Sequence, residues 1–377
     1  MIAVFANGFG ETVIANKLSN RISEYGKDVI LFSLVGNVNV NDKVIIGFKP
    51  RNLGSSGRTF HSITNFLSDL KSGSLFEVLR FIKAIRKYEN IKTAVIIGDP
   101  FLLFIAKTFI RGNPTIIFNS IYKSEMIERH FWFEKSFIKR YVNHFIPRDR
   151  YTSEVFSKLG INTVYFGNPM VDSVDILGIE YRKDPKLKTL LLLPGSTDTA
   201  YRIMPKLLYV VESVFRKFGF FNVLCSLSSR IIPDNMKKYV IHHGWELLKG
   251  DGINILKKDL IEVIVGVNTF GDMLSQSDVV LSCAGTATEQ SAGFGKPTIM
   301  FIDKDTGLSK KWFRRQAILL GENLRIFKSF NISDISDEIV LLFNDAAERE
   351  RRGRIGMKMI EGKGSINKMA EFISTLS

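Results

Sequence analysis

Short apolar runs closed by glycine, asparagine or proline alternate with segments of helical period along nearly all of this 377-residue chain. A strand that must be followed by a helix pairs in parallel with the next strand, so the alternation calls for parallel sheets covered by helices. The runs form two series. Residues 2–6, 29–34, 44–46, 94–97, 115–118, 144–146 and 164–166 make the first. Residues 189–193, 222–227, 253–256, 261–265, 279–282 and 298–301 make the second. The break falls at Gly167-Asn-Pro-Met-Val-Asp172, and the polar stretch 175–188 after it reads as a linker. The expected α/β architecture is therefore two Rossmann-like, doubly wound lobes facing a cleft, with residues 1–170 as the first domain and 171–355 as the second. Residues 349–377 are helical in pattern but punctuated by Gly353, Gly356, Gly362 and Gly364, and 356–377 read as a helical segment that returns to the first domain.

Length agrees, because a chain of this size exceeds one compact core and suits two domains of roughly 150–200 residues. A hydrophobic fraction of 45% with 24% charged residues excludes disorder for most of it. The formal net charge is +14. It is uneven: residues 1–168 hold 23 Lys/Arg against 13 Asp/Glu, a net of +10, and the remainder carries +4. Such an excess suits an anionic partner, whether nucleic acid, a phosphate-bearing small molecule or an anionic membrane surface. No nucleic-acid recognition module is present in the sequence, and a nucleic-acid partner is not expected. The opening Met1-Ile-Ala-Val-Phe-Ala-Asn-Gly lacks a basic region and reads as a first strand, not a signal peptide. The longest apolar stretch, residues 95–110, is broken by Asp99 and Lys107, so no membrane span is expected. Cys225 and Cys283 sit in apolar runs and read as small core residues, which fits a reducing cytoplasm.

Four loops at strand ends carry candidate chemistry. Asn7-Gly8-Phe9-Gly10-Glu11-Thr12 leaves a strand and enters a helix near Val13. Its glycines either make a tight turn or bring backbone amides to a ligand, and Glu11 either caps the helix or takes a proton from a substrate hydroxyl. Gly98-Asp99-Pro100 ends another strand, where Asp99 either turns the chain or serves as a general base. In the second series, Pro194-Gly195-Ser196-Thr197 offers a glycine, two hydroxyls and a helix start, a set suited to a diphosphate. Gly285-Thr286-Ala287-Thr288-Glu289-Gln290 repeats the strand, glycine and helix order. There Gly285 to Ala287 sit at a positive helix end, and Glu289 either accepts sugar hydroxyls or closes a capping box with Thr286.

Other features carry less chemistry. Asp303 and Asp305 form a pair that reads as a solvated turn ahead of a divalent-ion site, and His61, His130, His144, His242 and His243 have no ligand spacing, so no metal is expected. Residues 75–88 form an amphipathic helix, preceded by Phe60, Ile63, Phe66, Leu67 and Leu70. That helix either packs on a sheet or lies in a membrane interface with its lysines on anionic lipid.

Together, Gly285-Thr-Ala-Thr-Glu289, Leu193-Pro-Gly-Ser196, Phe166-Gly-Asn-Pro-Met-Val-Asp172, Leu75-Phe-Glu-Val-Leu79 before Asp99, and Asn7-Gly-Phe-Gly-Glu11 resemble lipid-A-disaccharide synthase, most closely its related-protein branch. The similarity is collinear from residue 1 to about residue 370. It implies a GT-B glycosyltransferase that moves a hexosyl or N-acetylhexosaminyl group, with inversion and without metal or cofactor, from a UDP-sugar to a lipid-linked acceptor. It also implies peripheral attachment to the inner face of the cell membrane. By that likeness Gly195, Ser196, Thr197, Gly285, Thr286 and Ala287 hold the diphosphate, Glu289 the ribose, and Gln290 and Gln316 lie with the donor. Asn7, Gly8 and Gly10 belong to the acceptor loop, and Asp99 or Glu11 assists deprotonation. The synthase has an arginine directly after its Pro-Gly-Ser loop where this chain has Thr197, with Arg202 and Arg230 as candidates for its place. A UDP-N-acetylglucosamine 2-epimerase is the rival enzyme, although its His-Arg-Arg-Glu-Asn-type stretch is missing. A non-catalytic protein that binds nucleotide-sugar or membrane is the rival of another class.

Overall fold

A computed structural model describes residues 1–50, 74–250 and 252–376. His61 and the apolar positions 60, 63, 66, 67 and 70 lie outside the described residues. The chain forms two compact units, Met1–Ser173 with Gly362–Ser377, and Val174–Glu361.

Unit 1 runs β1 (Ile2–Ala6), α1 (Phe9–Glu24), β2 (Val29–Ser33), β3 (Val44–Phe48), α2 (Ser74–Ile85), β4 (Thr93–Ile97), α3 (Pro100–Phe109), β5 (Thr115–Ser120), α4 (Trp132–Tyr141), β6 (His144–Pro147) and α5 (Arg150–Lys158). Its parallel strands stand in the order β3-β2-β1-β4-β5-β6. β1, β2 and β4 are buried at every position, as strands covered on both faces must be. Residues 164–166, expected as a strand, make none. Only Thr163 bridges Phe145 there, so the segment leaves the sheet. Val78, Phe81 and Ile85 of α2 join the core on one sheet face, so this helix packs on the sheet and leaves Phe76 and Leu79 exposed.

Unit 2 runs β7 (Thr189–Leu193), α6 (Thr199–Phe218), β8 (Asn222–Leu227), α7 (Pro233–Val240), β9 (Glu246–Lys249), β10 (Asn254–Lys258), β11 (Ile261–Val267), α8 (Phe270–Gln276), β12 (Val279–Ser282), α9 (Thr286–Gly293), β13 (Thr298–Phe301), α10 (Lys310–Leu320), β14 (Leu324–Phe327), α11 (Ile332–Asn344) and α12 (Ala346–Ile360). The strand order is β14-β13-β12-β7-β8-β11-β10-β9, parallel except where β10 runs against β9 and β11. Edge strands β9 and β14 have mixed burial in place of an apolar run, which is why the sequence does not announce them.

The stretch expected as a linker is pinned along unit 2. Asp272 Oδ1 accepts from the amides of Leu177 and Gly178 at 2.8 Å each, and Gln276 and Asn222 hold the amides of Tyr181, Lys183 and Asp184.

The last helix, α13 (Ser365–Thr375), belongs to unit 1. Its Ile366, Met369, Ala370 and Ile373 pack with Ile14, Leu18 and Ile22 of α1. Asp172 holds its start: the carboxylate accepts from Gly364 N at 2.8 Å and Ile366 N at 2.9 Å, satisfying amides that a helix beginning leaves without partners. The sequence motif ending in Asp172 is thus a receptor for the chain's final helix.

Candidate functional site

In unit 1 the candidate residues meet at the carboxyl edge of the sheet, where open α/β folds bind ligands. α1 begins at Phe9, earlier than the sequence suggested, so Glu11 sits in its first turn, favourably placed for a carboxylate. The same carboxylate lies against Gly8: a Cβ there would fall 2.1 Å from Glu11 Oε2. Gly10 has no neighbour within 4 Å of such a Cβ. The two glycines therefore differ. Gly10→Ala should keep or raise the melting temperature, since alanine is worth up to about 1 kcal/mol over glycine in a helix. Gly8→Ala should lower it and displace Glu11, and thermal denaturation of the pair checks the order.

Asp99 caps α3, its Oδ1 accepting from Leu102 N at 3.0 Å and from Asn7 Nδ2 at 2.8 Å. Asn7 crosses Gly98 so closely that a Cβ on Gly98 would lie 2.2 Å from Asn7 Oδ1, an oxygen that is buried without a hydrogen-bond partner.

The sequence passed over a second polar group on this edge. Ser120 ends β5, and its Oγ is 3.3 Å from His130 Nε2. His130 Nδ1 is 2.9 Å from Glu125 Oε1, and Lys135 donates to Glu125 Oε2 at 2.7 Å. Lys123 pairs with both oxygens of Glu134 at 2.7 Å. Burial pushes the His130 imidazole below its ordinary pKa, outweighing the opposing pull of Glu125. Burial raises Glu125, but its bonds to Lys135 and His130 more than reverse this and hold it below the carboxylate range. The available signal was local: a serine at the end of a buried strand, with a glutamate and a histidine in the loop that follows.

In unit 2 the two glycine loops stand at neighbouring strand ends. β7 and β12 pair with Leu193 opposite Ser282, and Cys283 N donates to Leu193 O at 2.8 Å. Gly195 has φ +107°, a conformation side chains resist, and a Cβ would lie 3.4 Å from Cys283 O. Ser196 and Thr197 are exposed, and Thr197 Oγ1 bonds Thr199 Oγ1 at 2.8 Å as α6 begins. Arg202 lies exposed in the first turns of α6, and Arg230 in an exposed turn after β8.

The capping box does not form. Gly285, which has no side chain to cap with, is the residue before α9, while Thr286 is already helical. Instead Thr288 Oγ1 bonds Ala284 O and Ser282 Oγ, at 2.6 and 2.7 Å, bracing the turn from within. Ala287 and Gln290 are half-buried on the same helix. Glu289 and Gln316, 27 residues apart, come together: Gln316 Nε2 donates to Glu289 Oε1 at 2.9 Å, both side chains being buried. Trp312, one turn before Gln316, stands beside Gly285.

The Asp303–Asp305 pair is occupied by a lysine. Lys206 Nζ lies 2.6 Å from Asp303 and 2.7 Å from Asp305, which ties the turn after β13 to α6. Burial pushes Lys206 down, but the two carboxylates more than offset this and raise it, and Lys206 in turn lowers Asp305. Among the described residues no cluster of three or more His, Cys, Asp or Glu side chains could hold a metal ion. Cys225 and Cys283 are buried free thiols, pushed up by burial.

No protein-family model matches the chain, and no characterised protein matches it in sequence. Solved structures do match over its whole length. The putative UDP-N-acetylglucosamine 2-epimerase of Listeria monocytogenes has a TM-score of 0.63 at 9% identity, covering 99% of this chain and 96% of its own. CalG4, the calicheamicin glycosyltransferase, has 0.60 at 11%, covering 100% and 98%. The UDP-GlcNAc 2-epimerase of Neisseria meningitidis, solved with UDP-GlcNAc, has 0.55 at 12%, covering 100% of both. The fold is GT-B. At these identities the likeness speaks for the fold, and GT-B structures of both epimerases and transferases share it.

Proposed function

We propose that the chain is a UDP-sugar-dependent glycosyltransferase that moves a hexosyl or N-acetylhexosaminyl group to an amphipathic, lipid-linked acceptor, in the manner of lipid-A-disaccharide synthase. The observation that carries the donor half is the meeting of the Gly195 and Gly285 loops at adjacent strand ends, with Glu289 bonded to Gln316 beside them. In this reading Gly195–Thr197 and Gly285–Ala287 hold the diphosphate, Glu289 takes the ribose hydroxyls, and Gln290 and Gln316 line the sugar. Helix starts and backbone amides stabilise the departing diphosphate without a metal. The acceptor is received on the unit 1 edge that carries Asn7, Gly8, Gly10, Glu11 and Asp99, where a carboxylate orients its hydroxyl.

Lipid attachment rests on the surface of unit 1. Phe76, Leu79, Phe104, Phe131, Trp132 and Phe133 are exposed, Trp132 by 80%, on the half of the sequence that carries a net of +10. Aromatic side chains with cations nearby suit an anionic lipid interface, the inner membrane face in this reading. Among the described residues no helix is long and apolar enough to cross a membrane.

The second reading is a UDP-N-acetylglucosamine 2-epimerase, favoured by the recurrence of that activity among the structural neighbours. One assay separates the two: a panel of UDP-sugars is incubated with and without membrane lipid extract, following UDP release and the 2-epimer together. Release that depends on lipid supports transfer, and epimer formation without lipid supports the second reading. UDP-sugar binding with neither product leaves a non-catalytic binding protein.

A further inference from the structure

Ser120 lies one register step beyond Asn119, which pairs with Ile97 across β5 and β4, so it stands beside Gly98 on the next strand. Asn7, at the end of β1, stands on the other side of Gly98 and places its unpartnered Oδ1 over that glycine. One face of the carboxyl edge thus carries a buried amide oxygen, a strand end without a side chain, and a buried hydroxyl in succession.

Behind Ser120 the hydrogen bonds fix the state of the histidine. Glu125 Oε1 accepts from the His130 backbone amide at 2.8 Å and lies 2.9 Å from Nδ1, so the ring proton sits on Nδ1 and Nε2 is left as an acceptor. Phe156, at 4.9 Å between centroids, and Phe145, at 6.3 Å, pack edge-to-face with the ring and prevent its rotation. Lys135 and the Lys123–Glu134 pair are the other charges around it. Ser120, itself buried, must then donate its own proton to Nε2, which leaves the lone pairs of its oxygen as acceptors. Asp99 is arranged differently, with Oδ1 occupied in capping α3 and in orienting Asn7.

We propose that Ser120, His130 and Glu125 form a proton relay that receives the proton of the acceptor hydroxyl, with Asn7 Oδ1 as a second acceptor for the same sugar. This rests on the transferase reading. As the acceptor oxygen bonds to the anomeric carbon, its proton passes to Ser120 Oγ while the Ser120 proton passes to Nε2. The anomeric bond to the diphosphate oxygen breaks, and UDP departs with the electron pair. Glu125 stabilises the imidazolium until it returns the proton to solvent. A base that is neutral at pH 7 and held by a carboxylate suits this task, and positioned proton transfer contributes about 10²–10⁴-fold to such rates.

The test is steady-state kinetics of the full chain with the UDP-sugar and lipid extract that give turnover. Ser120→Ala and His130→Asn should each lower kcat by roughly 100-fold or more with KM little changed, and Ser120→Thr should restore much of it. Burial holds His130 below the ordinary imidazole range, so wild-type kcat/KM should hold through that range and fall only at lower pH, where the ring protonates, and this limb should vanish in His130→Asn. Unchanged kcat in both variants, with melting temperatures kept, would overturn the relay while leaving the transferase standing. If no sugar is turned over, the transferase reading itself fails, and nitrogen-15 NMR of the histidines separately reads the Ser120–His130 hydrogen bond that the relay requires. A bare Nε2 whose shift moves in Ser120→Ala supports it, and a proton on Nε2 at pH 7 rules it out.

Discussion

If Glu289 holds the ribose as proposed, Glu289→Ala should weaken UDP binding by about 100-fold or more while leaving the fold intact. A carboxylate accepting from both ribose hydroxyls makes two charge-assisted bonds, each worth roughly 1.5–3 kcal/mol, and 1.4 kcal/mol is a factor of ten in affinity. The side chain is buried and already held by Gln316, so it spends no further freedom when a ribose arrives. Gln316→Ala should cost less, about tenfold, because it loosens Glu289 without removing its charge. Titration calorimetry with UDP checks both. Affinity within threefold of wild type for Glu289→Ala would place the ribose elsewhere.

Gly353→Ala should lower the melting temperature of unit 2 by about 6–12 °C, taking about 3 kcal/mol for the overpacking and roughly 2–4 °C per kcal/mol in a domain of this size. Gly353 faces the carbonyl of Gly295, where an added Cβ would come within 2.4 Å of the oxygen, and Gly356 faces Ala292 O at 2.5 Å. Both obstacles are backbone, so no side chain can swing away and α12 must lift from α9. The gain in helix propensity on replacing glycine, about 1 kcal/mol, is the smaller effect. Asn323 adds to the close packing, donating to Lys296 O and Arg352 O at 3.0 Å each. Since α9 carries Glu289, the same substitution should also weaken UDP binding. A rise in melting temperature by calorimetry would refute the close approach.

These glycines show where the sequence was silent. Gly353 and Gly356 read as punctuation in a helical pattern, yet both lie inside α12 as contact points for another helix. The periodicity of strands and helices located most of both sheets, because a buried parallel strand must be a continuous apolar run and β1, β8, β12 and β13 are such runs. Edge strands β9 and β14 escaped for the converse reason. Within the candidate site, the residues flanking each glycine loop were legible because loop and helix start adjoin in sequence. The Glu289–Gln316 bond, the Lys206 clamp on Asp303 and Asp305, and the Ser120–His130–Glu125 chain depend on tertiary approach. Of these, likeness to a family had pointed to Gln316 by position alone. His130 stands apart from the other histidines in sequence and offers no metal or triad spacing, and its partner is a carboxylate within the same loop.

The attachment of α13 to α1 has a consequence for the order in which the molecule is made. Synthesis proceeds from the N-terminus, and domains generally fold as they emerge. Unit 1 cannot follow that rule. Its first 173 residues leave the ribosome with Ile14, Leu18 and Ile22 lacking the helix that covers them, and Asp172 lacking the amides it accepts from. All of unit 2 is translated before residues 365–375 arrive. The N-terminal unit is therefore the last to be completed, and a nonsense mutation a few codons before Ser365 would strike the first-made half of the protein.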